Sequence, residues 1–273
     1  MKKLILFLFS LLFLSSCGDD TFKKIDLLTE FRVLAIVADD SELAPGASTN
    51  VYPLIADISG GNRTIQGEVI TCIDPGVSRG APVSCDHDPS ATAINYDIDT
   101  STLAQGAQNT GLAQAQNITV PAAIFTGRSD REKFNGVSYL VLFTFDVDGK
   151  KVKAFRRINA TNRAQRNANP ATPTINLDGT PILNRVPAKG STLSATSSAP
   201  ESYQFITIDG VTESRTENLE VAWYLSEGEI NKPKSEANEA VEYKGDAPTK
   251  PLLLMAIVRD ERGGLSFRIE ELP

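Results

Sequence analysis

Tyr139, Val141, Phe143 and Phe145 recur at every second position, and an extended pattern resumes from Lys151 to Ile158 after Asp148-Gly149. A period of two puts all four large side chains on one face of a strand. Asp-Gly suits the tightest hairpin turns, whose central positions prefer positive φ. The sequence therefore predicts a strong β-hairpin here, and helical periodicity is scarce along the rest of the chain. Phe31 to Ala38, Val51 to Ile58 and Ile65 to Ile73 read as further strands, with Pro45-Gly46 and Gly60-Gly61-Asn62 as turns.

Between residues 74 and 119 the composition shifts to Gly, Ala, Ser, Asn and Gln, with few large apolar residues. This stretch reads as a long loop inserted in the first domain. Asn159 to Pro173 holds two prolines, Pro170 and Pro173, with Asn, Ala and Arg, and reads as a domain break. The expected organisation is a leader over 1–16, a tether over 17–29, a β-sandwich over 30–160, a linker over 161–173 and a second β-sandwich over 174–273. In the second half, Leu219, Val221, Trp223 and Leu225 alternate with Glu220, Ala222, Tyr224 and Ser226. Leu252 to Val258 is almost entirely apolar, as a central strand covered on both faces would be. Asp178-Gly179, Asp209-Gly210 and Asp260 to Gly264 supply turns, and Leu265, Phe267 and Ile269 alternate with Ser266, Arg268 and Glu270. A fragment from Ala171 to Pro273 is expected to fold alone, with Trp223 inside.

Short strands at these intervals suggest sandwiches. Trp223 in a middle strand and the Leu252–Ile269 hairpin make the second half resemble an immunoglobulin-like domain. The fold class expected is all-β, with two tandem β-sandwich domains and the C-terminal one immunoglobulin-like. The opening Phe31–Ala38, followed by Ala44-Pro45-Gly46, also resembles bacterial immunoglobulin-like or cadherin-like repeats. That resemblance carries no catalytic residue.

The N-terminus has Lys2 and Lys3, an apolar run from Leu4 to Leu14, and then Leu14-Ser15-Ser16-Cys17. Charged and apolar segments in this order form a signal peptide, and the run is too short to span a bilayer. Leu-Ser-Ser-Cys resembles the lipobox of bacterial lipoproteins. The resemblance implies a diacylglycerol thioether on Cys17, cleavage before it and acylation of the new amine, so that two or three chains give firm anchoring. Gly18, with Asp19 and Asp20 displaced by one from the inner-membrane retention position, favours the outer membrane of a Gram-negative envelope.

Formal net charge is −7, and removing the leader's two lysines makes it more negative. That balance argues against nucleic acid as a partner. Three cysteines are present. With Cys17 lipidated in an exported chain, Cys72 and Cys85 are expected to form a disulfide. His87 is the single histidine, so any Ser-His-Asp or Cys-His mechanism would have to use it. Asp86-His87-Asp88 reads as a solvated loop, and no metal or cofactor is expected.

No nucleophile elbow, phosphate loop or dinucleotide fingerprint occurs. A carboxylate pair acting on a glycan needs no motif. Asp97 with Asp99, or Asp146 with Asp148, are the formal candidates, each pair at i, i+2 and so on one strand face. Asp146-Val147-Asp148-Gly149 reads as turn chemistry and lacks calcium-loop spacing. Trp223, Tyr224, Tyr203 and Phe205 could form a sugar platform, but their spacing fits a core better. The reading is a non-enzymatic envelope module, anchored through its lipid, with a protein or glycan partner. A carboxylate-based glycan enzyme is the alternative.

Overall fold

The computed structural model describes residues 25–76 and 83–273. In chain order the first half contains β1 (Arg32–Ala38), β2 (Glu42–Leu43), β3 (Ser48–Ala56), β4 (Thr64–Ile73), β5 (Ile94–Asn95), β6 (Ile98–Asp99), β7 (Ala104–Ala107), β8 (Thr110–Leu112) and β9 (Gln116–Thr119). A six-residue helix, α1 (Asp130–Asn135), then leads into β10 (Val137–Val147) and β11 (Lys150–Ala160). The second half contains β12 (Thr174–Leu177), β13 (Thr180–Pro181), β14 (Thr192–Thr196), β15 (Ser202–Ile206), β16 (Thr212–Thr216), β17 (Glu220–Leu225), β18 (Lys234–Glu236), β19 (Val241–Glu242), β20 (Leu252–Arg259) and β21 (Leu265–Leu272).

Each half is a β-sandwich. In the second, β13-β12-β14-β19 faces β18-β17-β20-β21. This is the immunoglobulin arrangement, with the third, sixth and seventh principal strands on one sheet. The first half repeats the plan: β1 and β3 pair in one sheet, while β11-β10-β4 form the other. There β2 runs parallel to the end of β11. The predicted hairpin forms with Asp148 at φ 52° and Gly149 at φ 77°. Its inward Tyr139, Val141, Phe143 and Phe145 pack against Ile36, Val51 and Ile55 of the facing sheet. In the second half Trp223, Leu225, Leu252 and Leu254 pack against Ile175 and Leu193.

A third apolar layer lies between the sandwiches. Leu34, Leu54 and Ala56 of the first half meet Ala222, Leu253, Met255, Ile257 and Leu265 of the second. This explains the apolar run of β20: its even positions face its own core, and its odd positions face the neighbouring sandwich. Leu265, Phe267 and Ile269 are expected to point into their own core, with Ser266, Arg268 and Glu270 outward; they share a face, but that face is turned to the other sandwich, and Ser266 is buried. A bulge between Val33 and Ala35 reverses the side alternation of β1, so that Leu34 and Ala35 both face the second half.

Two further expectations are corrected. Residues 74–119 are not a loop inserted into a finished sandwich, because β5 to β9 lie there, β5 and β6 pairing with β4, β8 and β9 with β3, and β7 with β8. Tyr96, Ile98, Ala113 and Ile118 from this stretch complete the first core. Residues 161–173 are not a solvated linker either. Thr161, Arg163 and Asn167 are buried. Thr161 and Asn167 are accommodated there by hydrogen bonds, and Arg163 by its ion pair with Glu42 and the Phe134 ring.

Cys72 and Cys85 are joined by a disulfide, Cα to Cα 5.8 Å, beside Leu140. Closing a loop of this size stabilises by about 3 kcal/mol in the chain-entropy model. Replacing both cysteines by alanine is expected to lower the urea midpoint accordingly. An unchanged midpoint would show that the bridge carries no stability.

Candidate functional site

The most polar buried region lies where the segment after β11 crosses between the sandwiches. Glu42 on β2 and Glu217 just before β17 both meet Arg262 in the β20–β21 loop. Arg262 Nη2 donates to Glu42 Oε2 at 2.8 Å and its Nη1 to Glu217 Oε1 at 3.1 Å. All three side chains are at most one-tenth exposed. Burial pushes the Glu217 carboxyl upward, against the pull of the Glu201 backbone N–H and Arg262. Asn167 reinforces the crossing: its N–H donates to Glu42 Oε2 at 2.6 Å and its Nδ2 to Asp260 Oδ2 at 2.9 Å. Asp260 Oδ1 also accepts the N–H groups of Arg262 and Gly264, which fixes the loop.

An aromatic layer borders this network. The Arg262 guanidinium lies 4.6 Å from the Tyr203 ring centre, and Arg163 lies 5.0 Å from that of Phe134. Tyr203 belongs to the β15–β16 hairpin, which leans on α1 through a reciprocal bond pair. Asn135 Nδ2 donates to Ile206 O at 2.7 Å, and Ile206 N–H donates to Asn135 Oδ1 at 2.9 Å. The capping box of Ser129 and Glu132 fixes the start of α1. Phe134, Arg163, Gln165, Tyr203 and Arg262 enclose a depression of about 230 Å³.

The same crossing closes one edge of β1. The carbonyl oxygens of Leu34, Ile36 and Ala38 accept from Arg259 at 3.0 Å, Arg156 at 2.9 Å and Asn169 at 2.8 Å. Side chains from β20, β11 and the crossing segment thus stand in for a missing strand. Burial pushes the Arg156 guanidinium down to about 10. Its Nε has no hydrogen-bond partner.

The residues singled out in the sequence are dispersed. Cys17 lies outside the described residues. His87 Nε2 sits 3.0 Å from Ile73 O, and Asp88 accepts from Ser90. Among the described residues no group of three His, Cys, Asp or Glu side chains is placed to hold a metal ion. Both carboxylate pairs are split. Asp148 sits in the hairpin turn and pairs with Arg63, and Asp99 caps a short 3-10 turn. Asp97 and Asp146 instead share a depression of about 300 Å³ with Glu68 and Lys151. There Asp97 accepts from Gly67 N–H at 3.2 Å, and Lys151 pairs with Asp146 at 3.1 Å. The aromatic set separates as well. Trp223 is in the core with its Nε1–H on Ser235 Oγ at 3.1 Å, and Tyr224 joins the layer between sandwiches. Tyr203 and Phe205 remain half-buried, each under an arginine. Sequence reading missed Glu42, Arg163, Asn167, Glu217 and Arg262, because their pairing is made between segments far apart in the chain.

No family model matches the sequence, and no curated protein matches it. Among solved structures the chain is similar to red sea bream transglutaminase, at 9% identity and a TM-score of 0.29, covering 90% of this chain and 31% of that one. It is also similar to Escherichia coli alpha-2-macroglobulin activated by porcine elastase, at 10% identity and a TM-score of 0.26, covering 90% of this chain and 22% of that one. The chain spans less than a third of either protein, and neither likeness carries a functional argument.

Proposed function

We propose that this chain is a lipid-anchored envelope lipoprotein whose two sandwiches form a non-catalytic binding or structural module. The observation that carries the module reading is the use to which the most polar region is put. Arg262, Glu42, Glu217, Asn167 and Asp260 are engaged with one another across the junction, so their chemistry holds the sandwiches together. One carboxylate of each formal pair, Asp99 or Asp148, is drawn off into a turn, and the two that share a depression are engaged, Asp97 by Gly67 N–H and Asp146 by Lys151, which favours the module over a glycan-cleaving enzyme. Anchoring rests on the leader and Leu14-Ser15-Ser16-Cys17, with the outer membrane as the proposed location.

Two measurements test this reading. Changing Cys17 to Ser is expected to move the protein from the membrane fraction to the soluble envelope fraction. Retention of a mature-sized variant in the membrane would contradict lipid anchoring. Incubation of the full chain with envelope glycans is expected to give no cleavage. Cleavage that Asp97→Asn or Asp146→Asn abolishes would establish the enzyme instead.

A further inference from the structure

We infer that the free edge of β11 is a docking site for an extended acidic peptide, which adds to it as a further strand. The inference deepens the binding reading by naming its surface and its class of partner. β11 pairs with β10 along its whole length, beginning at Lys150 opposite Val147. Backbone direction alternates along an antiparallel strand, and Asn159 N–H points away from β10 to reach Ser41 O at 3.3 Å. Lys151, Lys153 and Phe155 share that outward direction. The parallel ladder with β2 covers only Asn159 and Ala160, so among the described residues no strand pairs with the edge before them. Unpaired edges of this kind are templates for an added strand.

The edge opens on a groove of about 350 Å³ between β1 and β11, walled by Val33 to Ile36, Lys153 to Arg156, Arg259 and the Asp260–Leu265 loop. Its charge identifies the occupant. Lys153, Arg156 and Arg259 face the groove with one carboxylate, Asp260, whose oxygens are already taken by Asn167, Arg262 and Gly264. Lys153 is exposed and has no partner among the described residues. The Arg156 guanidinium is held by the neutral carbonyls of Ile36 and Gly263, so its positive charge is retained behind the groove wall. A cationic groove on a chain of net charge −7 selects for acidic side chains on the incoming strand. Phe155, 45% exposed and stacked by Arg157, offers an apolar contact beside the edge.

The test is fluorescence anisotropy at low ionic strength with the full chain in non-ionic detergent. The probe is a labelled octapeptide of alternating Asp and Val. Saturable binding is expected, and an alternating Lys and Val octapeptide should not bind. Two or three backbone hydrogen bonds at their usual net value correspond to about tenfold in affinity or more. A loss of that size is expected when alternate peptide amides are N-methylated, and a loss of about two- to tenfold when Lys153→Pro removes one outward N–H without touching the β10 ladder. Lys153→Glu, an exposed substitution, should weaken binding similarly through charge. Absence of binding to the wild-type chain would overturn the inference, as would equal binding of the N-methylated peptide. Dimerisation of the chain through this edge, abolished by Lys153→Pro and unaffected by the peptide, would assign the edge to a second copy instead. None of these results depends on Cys17, so failure here is distinguishable from failure of the anchoring reading.

Discussion

Replacing Arg262 by alanine is expected to destabilise the protein by about 3–5 kcal/mol, the usual cost of removing one partner from a buried ion pair. Arg262 bridges Glu42 and Glu217, and both carboxylates are only 4% exposed. Arg163 approaches Glu42 only at 3.7 Å and, among the described residues, is not paired with Glu217, so it cannot replace the lost guanidinium. Adding Glu217→Gln to the alanine variant should recover part of the loss, because one of the two stranded charges is then gone. Urea unfolding of the two single variants and the double variant measures this coupling. A loss below about 1 kcal/mol for Arg262→Ala would place the network with exposed pairs, which contribute little.

Leu253→Asp is expected to act in opposite directions in two settings. In the whole chain Leu253 is fully buried in the apolar layer between sandwiches. A carboxylate there has no partner, and the change should cost about 4 kcal/mol or more through lost packing and buried charge. In the isolated fragment from Ala171 to Pro273 the same position faces water. That fragment keeps the core built around Trp223, but it uncovers Leu253, Met255, Ile257 and Leu265. The unmodified fragment should therefore self-associate with a blue-shifted Trp223 emission, and Leu253→Asp should make it monomeric. Size-exclusion chromatography with emission spectra decides the matter. A monomeric unmodified fragment would show that the layer between sandwiches adds little.

Long strands were legible because their apolar side chains repeat. β10 could be read from Tyr139 to Phe145, and the double coverage of β20 from seven consecutive apolar residues, Leu252 to Val258. β5 to β9 were not, since strands of two to four residues with at most one large apolar side chain each are too short to show a period. The crossing segment failed for a related reason. Its composition looks solvated, and its burial depends on partners far away in sequence, such as Ser41, Glu42 and Asp260 for Asn167. The carboxylate pairs failed because i, i+2 spacing implies a shared face only within one strand, and Asp148 has already left β10 for the turn. The basic run from Lys150 to Arg157 drew no reading beyond a return strand. Its meaning depends on which edge of β11 is free, which the topology supplies.

We expect the apolar layer and the buried ion network to join the two sandwiches into one cooperative unit. Equilibrium urea unfolding of the whole protein, followed by Trp223 emission and by far-ultraviolet circular dichroism, tests it directly. Trp223 reports the second sandwich alone, whereas dichroism reports both. Coincident single transitions are predicted. A dichroism curve with two steps, only one of them shared by Trp223, would show that the sandwiches unfold independently and would contradict the account.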